Sequence, residues 1–303
     1  MSAIKARSQL LATIRQFFAE REVLEVDTPV LSKHATTDPY IDSISTNEGF
    51  LQTSPEFAMK RLLCAGAGSI YQIAKAFRYQ ESGRFHNPEF TMLEWYRVGF
   101  THVDLMQEVD EFLITTLGTE PAEVISYQQL FIDYLSIDPL DCSDVELSAF
   151  VDEKQLLISS TIMLGRDDHL NLLFTHLIEP SLAACRPVIV YGFPASQSAL
   201  ARINEQDSRI SDRFEAYYRG VELANGFYEL ADAGEQVSRF NSDNSARFSK
   251  GFSQMPMDMH LIKALEHGLP DCAGVALGID RLLMLKLGAA HIDEVISFPI
   301  RNA

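Results

Sequence analysis

The sequence predicts an α+β fold, an antiparallel sheet flanked by helices, and three observations carry that prediction. An amphipathic helix runs into a strand near the N-terminus. Two alternating segments around a turn-rich stretch form a hairpin, and a glycine-rich strand enters a helix near the C-terminus. With 303 residues, 47% of them hydrophobic, the chain can bury one large core plus a smaller inserted unit, and we read one main domain over 1–303.

Residues 4–20 place Ile4, Leu11, Ile14, Phe17 and Phe18 near one helical stripe, and VLEVDTP then alternates like a strand until Pro29. Ser54-Pro55-Glu56 combines a capping serine, a proline whose missing N–H costs nothing in a first turn, and an acid near the positive dipole end. A helix should start there and end before Gly66. SIYQIAKAFRYQ and EFTMLEWYR read as strands joined by ESGRFHNP, an antiparallel hairpin with a long loop. Residues 101–185 are helical in pattern and acidic, a mainly helical connecting or inserted segment. Strand signals resume at PVIVYGF and VELANGFYEL, and GVALGID runs into the helical RLLMLKLG.

A formal net charge of −17 should repel RNA on average, because nucleic-acid affinity comes largely from cations that neutralise phosphates. The same field favours a small cationic substrate and leaves magnesium as the natural means of bringing in a polyanionic nucleotide. Acidity that merely keeps the protein soluble explains the charge equally well. Cys64, Cys142, Cys185 and Cys272 lack the paired spacing of zinc or redox motifs and are expected to be reduced, buried and structural. The histidines offer no pair at helical metal-ligand spacing, so no transition-metal site is expected. The N-terminus has neither a charged leader nor a long apolar run, so a cytoplasmic protein without membrane contact is the expectation.

Side chains alternate along a strand, so parity identifies those that share a face. In the first hairpin strand Tyr71, Ile73 and Phe77 form a core face, and Gln72, Ala74, Ala76, Arg78 and Gln80 form the other. In its partner, Phe90, Met92, Glu94 and Tyr96 share one side: a floor that could stack a base and hold an ammonium group, or an ordinary solvated face with a salt bridge. The later strand adds Asn225, Phe227 and Glu229, with Glu222 on the opposite side unless a bulge, helped by Gly226, turns it inward. Gly274, Ala276 and Gly278 form a bare face that lets a ligand approach the backbone, and Arg281 follows at a helix start, where guanidinium and N–H dipoles can meet phosphate.

Three ordered stretches resemble a known family. FFAEREVLEVDTP is similar to motif 1 of class II aminoacyl-tRNA synthetases, AFRYQESGRFHNPEF to motif 2 and GVALGIDR to motif 3; TSPEFAMKRLL, HNPEFTMLEWY and RFEAYYRGVELANGFYEL narrow the likeness to the lysyl branch. The resemblance spans nearly the whole chain and implies the class II synthetase catalytic fold without an anticodon-binding domain. Within that branch it favours the paralogues that modify a translation factor over the tRNA-charging enzymes. It implies an ATP-dependent, AMP-forming ligase that activates β-lysine or lysine as its adenylate and transfers it to a lysine side chain of elongation factor P. ATP and Mg2+ are implied as cofactors, a homodimer through motif 1 as the assembly, and tRNA is not expected as a partner. Two other readings remain open at this point: a truncated enzyme still charging tRNA, and an inert regulatory subunit.

By resemblance, Arg78 and Arg281 are the catalytic residues, gripping the α-phosphate and clamping the far side of the nucleotide. Phe90 stacks the adenine, His86 and Asn87 hold the bent triphosphate, and Gln80, the Leu223 backbone and Gly278 line it. Glu215 and Glu222 would hold magnesium, Glu222 also serving the nucleotide. For the amino acid, Glu229 and Tyr96 would receive the side-chain ammonium, with Glu56, Glu94, Asn225 and Phe227 around the backbone amine and Ser54 at the rim. Ala276 stands where the tRNA-charging relatives have glycine, which implies a preference for the β-amino isomer, and Gln80 stands where the family has glutamate. Glu81 would lie on the opposite face unless the strand slips.

Overall fold

The computed structural model describes residues 3–156, 164–182 and 185–303. Helix α1 (Ala3–Ala19) buries Ala6, Leu10, Ile14, Phe17 and Phe18 at i, i+4, i+8, i+11, i+12 spacing, the signature of a helix with one face on a core. Ile4 lies off this stripe and is exposed, contrary to expectation. Phe18 stacks on Tyr71 with ring centroids 4.3 Å apart, which seats the helix on the sheet. Of the expected VLEVDTP strand only β1 (Leu24–Glu25) forms, pairing parallel with the first hairpin strand. A small sheet follows, built from β2 (Leu31–Ser32), β3 (Ser45–Thr46) and β4 (Gly49–Leu51).

Helix α2 (Glu56–Cys64) lies where expected, but Pro55 and not Ser54 takes the cap position, and Ser54 accepts from the Glu56 N–H from outside the helix. The hairpin is β5 (Ile70–Phe77) and β6 (Glu89–Val98). Helix α3 (His102–Leu117), closed by a Thr101–Asp104 capping box and a left-handed Gly118, packs Leu105, Val109, Phe112 and Leu113 into the main core. Strand β7 (Glu123–Ser126), α4 (Tyr127–Leu135), α5 (Asp144–Glu153) and α6 (Arg166–Leu173) complete most of the stretch expected to be helical. It therefore contains a strand, and that strand joins the main sheet beside β8 (Val188–Tyr191). Residues 157–163 and 183–184 of that stretch lie outside the described residues. The remaining elements are β9 (Arg213–Tyr218), β10 (Val221–Tyr228), α7 (Ala233–Ser249), α8 (Met259–His267), β11 (Cys272–Gly278) and α9 (Ile279–Leu287).

The strands form one eight-stranded sheet, ordered β1-β5-β6-β11-β10-β9-β8-β7, antiparallel except at its two edge pairs. One face carries the main core, where α1, α3 and α9 cover Leu93, Trp95, Ala216, Val275 and Leu277. The other face divides into three. Ile70, Tyr96 and Cys272 pack with Met59, Phe240 and Leu261 from α2, α7 and α8. At the far edge Val188, Val190 and Tyr217 pack with the cluster of α4 to α6. Between these two walls the sheet is left open. Of the cysteines, Cys272 is buried, Cys64 and Cys142 are half-buried, and Cys185 is exposed, against the expectation that all are buried. Among the described residues no helix is long and apolar enough to cross a membrane.

Candidate active site

Residues opposite each other in antiparallel strands share a face, so register alone assembles the floor. One row runs Gln72–Glu94–Ala276–Asn225–Glu215 across five strands, and the next runs Tyr96–Gly274–Phe227–Arg213. Above them lies a cavity of about 620 Å³. Every residue given a role toward a ligand in the sequence lines it except Gln80.

At one end the side chains are acidic. Ser54 Oγ and Tyr96 Oη each donate to Glu94, at 2.6 Å, and Ser54 Oγ accepts from the Glu56 backbone N–H at 3.0 Å. The Tyr96 hydroxyl hydrogen is thus committed to Glu94, leaving its oxygen to accept from a guest. Glu229 and Glu56 are both engaged by a residue that sequence reasoning passed over: Lys60 Nζ lies 2.6 Å from Glu229 Oε2 and 2.8 Å from Glu56 Oε1. Burial opposes the Lys60 charge, but those two carboxylates outweigh it and hold the ammonium above its ordinary range. Burial, reinforced by neighbouring Glu56, pushes Glu94 up to about 8. Burial likewise raises Glu229 to about 7, against the pull of Lys60. A site so acidic and so desolvated is arranged for a cation.

The other end suits an anion. The Arg78 guanidinium lies 5.2 Å from the Phe90 ring centroid, and its Nε makes no hydrogen bond among the described residues. Strand β5 stops at Phe77, one residue before Arg78, so the parity used for Arg78 and Gln80 no longer applies. The chain turns, Gln80 takes a left-handed φ of 58° and is exposed, and Glu81 enters the cavity 3.8 Å from Arg78. The placement expected for Gln80 is corrected: the turn supplies Glu81 in its stead.

Arg281 Nη1 donates to the Glu222 carbonyl at 2.9 Å, and its Nη2 meets His86 Nε2 at 2.6 Å. Arginine has only donors, so His86 accepts, which requires neutral imidazole at Nε2. Burial and the Arg281 charge both lower the His86 pKa accordingly. Asn87 spends its side chain on the Glu89 carbonyl and the Ile300 N–H, bracing the loop at the cavity wall.

Glu222 reaches the cavity through the bulge that the sequence left as an option. Glu222 opposes Tyr217 and Ala224 opposes Ala216, so Leu223 is the extra residue, and both Leu223 and Ala224 turn into the main core. Gly226 has a different role from helping the bulge: a Cβ there would lie 2.4 Å from the Phe214 ring. Gly274 also differs from expectation, because the space of its absent Cβ is taken by Tyr96 and Glu229, at 2.3 and 2.5 Å, and not left for a ligand. Gly278 does stand clear, with Arg281 the nearest group at 3.7 Å.

Glu215 is less free than a magnesium ligand should be. It is held by Arg213, at 2.5 Å, and by the Tyr217 hydroxyl. Among the described residues no three acids, histidines or cysteines close into a metal-binding group. Glu222, partly exposed beside Arg281, is the available carboxylate, and Glu179, raised to about 7 by burial and then by Glu222, is a cavity neighbour the sequence did not suggest. One or two carboxylates fit magnesium that takes its other ligands from phosphate and water, the ion's usual arrangement. Lys60 had one legible signal, its position four residues after Glu56, but that pattern reads equally as a solvated pair.

The family model for class II tRNA synthetases (D, K and N) matches residues 1–302. The chain is 53% identical over 306 residues to the elongation factor P–(R)-beta-lysine ligase of Vibrio parahaemolyticus serotype O3:K6, covering 98% of this chain and 95% of that protein. It is 50% identical over 313 residues to the protein of that name from Vibrio cholerae serotype O1, covering 100% and 97%. With that of Edwardsiella ictaluri it shares 50% over 307 residues, covering 98% and 94%.

Proposed function

The chain belongs to the class II tRNA synthetases of the D, K and N group, and from that premise we propose that it is an ATP-dependent ligase that activates β-lysine, or lysine, and transfers it to a lysine side chain of elongation factor P. One observation carries the reading: Glu56, Glu94 and Glu229 meet at one end of a cavity whose other end presents Arg78, His86 and Arg281. An ammonium has three N–H donors, and a desolvated one needs several acceptors. The converging acids supply them. The relatives' shared name adds the isomer and the acceptor.

The amino acid's carboxylate attacks the α-phosphorus of ATP, forming an acyl-adenylate and releasing pyrophosphate. The protein's part is alignment and charge stabilisation, with no nucleophile of its own. Arg78, with an uncommitted Nε, takes the α-phosphate, Phe90 stacks the adenine, and Arg281 with neutral His86 clamps the triphosphate. Magnesium, held from the protein side by Glu222 with Glu215 behind it, would neutralise phosphate charge. The acceptor lysine's free amine then attacks the activated carbonyl and AMP leaves. The protein acts in the cytoplasm as a homodimer through α1 and β1, whose Ile4 and Leu24 are 68% and 57% exposed in the single chain.

Pyrophosphate exchange with β-lysine and with α-lysine tests the first step, and offering elongation factor P or tRNA tests the second. Exchange with neither amino acid refutes the activation, and transfer to tRNA alone refutes the acceptor.

A further inference from the structure

Lys60 has no part in the roles above. It lies on α2, 1% exposed, behind the cavity wall and outside its lining. Its ammonium divides two carboxylates. Glu56 gives it Oε1, and Glu229 gives it Oε2. The remaining Glu229 oxygen, Oε1, stands 2.5 Å from the position of a Cβ on Gly274, which puts it over the cavity floor. Each carboxylate thus has one oxygen tied down and one left for a guest.

We propose that Lys60 is a positioning residue that sets how many ammonium groups the cavity accepts. Glu56, Glu94 and Glu229 bring three negative charges and Lys60 cancels one, leaving two. An amino acid with two ammonium groups, its carboxylate directed toward the phosphate end, meets that remainder when the acids are ionised; one with a single ammonium leaves one of the buried acids protonated and forgoes that charge-assisted pairing. The other ionisable groups facing this cluster do not change the count. Arg202 donates to the Glu229 backbone carbonyl at 2.7 Å and is paired with Asp271 at 2.5 Å. The buried Tyr96 hydroxyl and the Cys272 thiol are both raised by burial and stay neutral. In the empty cavity Glu94 and Glu229 hold protons readily, and the guest's two ammonium groups displace them.

The inference rests on the proposed activation of a lysine-like amino acid, so wild-type pyrophosphate exchange is measured first; its absence defeats that reading, not this one. Lys60→Met keeps the chain's bulk and removes the charge. We expect KM for lysine or β-lysine to rise about 20-fold or more, kcat to change less than about 3-fold, and the ATP Kd to stay within about 2-fold of wild type. A folded Lys60→Met protein with unchanged KM overturns the inference. If that variant gives no cooperative melt, the wild type decides, with norleucine and 6-aminohexanoate, each bearing one ammonium, as inhibitors of exchange. Both should inhibit about 100-fold more weakly than the diamino acid binds. Inhibition by either within about 10-fold of the diamino acid overturns the charge count.

Discussion

Gly274→Ala should cripple the amino-acid end of the cavity while leaving the nucleotide end intact. Gly274 is fixed on both sides by sheet pairing, to Tyr96 and to Phe227, so its backbone cannot retreat. A Cβ there falls 2.3 Å from Tyr96 Cε1 and 2.5 Å from Glu229 Oε1, well inside van der Waals contact, and both partners are buried. Relieving the overlap must move the phenol or the carboxylate by about 1 Å, and overpacking of this kind costs ~1–3 kcal/mol. Losing one charge-assisted hydrogen bond to the guest costs a further ~1.5–3 kcal/mol, or roughly 10- to 100-fold in the amino-acid KM. Two other glycines serve as controls. Gly226→Ala meets the Phe214 ring at 2.4 Å on the core side, so it should lower Tm without a selective effect on the amino acid. Gly278→Ala, with 3.7 Å of clearance, should be nearly silent in folding. The measurements are thermal melts, ATP affinity, and KM for lysine or β-lysine in pyrophosphate exchange. A Gly274→Ala protein with wild-type KM refutes the reasoning, as does a Gly226→Ala protein whose only defect is in amino-acid KM.

Two further outcomes follow from the same geometry. Glu94 and Glu229 bind protons more tightly in the folded, ligand-free protein, at about 8 and about 7, than in the unfolded chain near 4.5. Their contribution to stability is therefore complete below about 4.5 and is lost as pH rises through about 7 to 8, so ligand-free Tm should fall across that window and saturating diamino acid should restore more of it at pH 8 than at pH 6; a ligand effect independent of pH would count against it. Ala276 sits in the register row between Glu94 and Asn225, so Ala276→Gly should shift the ratio of kcat/KM for β-lysine over α-lysine by about 10-fold toward the α isomer, the scale of one methyl in a fitted pocket. An unchanged ratio in exchange assays would remove Ala276 from the account of specificity.

Legibility in the sequence tracked how local the determinant was. The shared cavity face of Glu94, Tyr96, Asn225 and Phe227 was legible because alternation in a regular strand needs no tertiary information. Gln80 and Glu81 were exchanged because the strand ends at Phe77 and a left-handed residue resets the phase, and nothing in RYQES marks that turn. Strand β9 was not singled out and β7 was folded into a helical stretch; four residues are too few to show a period beside longer helices. Helix α7 buries only Gln236, Phe240 and Arg247, so it shows little apolar stripe to find. Lys60 was the costliest omission, because a lysine beside an arginine in a helix reads as solvent-facing until distant Glu229 is known to lie against it.

The extra residue at Leu223 shifts the phase of β10 along its length. Val221 and Glu222 obey one alternation, while Ala224 through Tyr228 obey the other. A single unbroken stretch of backbone thereby delivers Glu222 to the side of Arg281 and Asn225 and Phe227 to the cavity floor. The spacing between these two parts of the cavity is consequently gauged by covalent geometry, as on a ruler, and not by how neighbouring elements settle against one another.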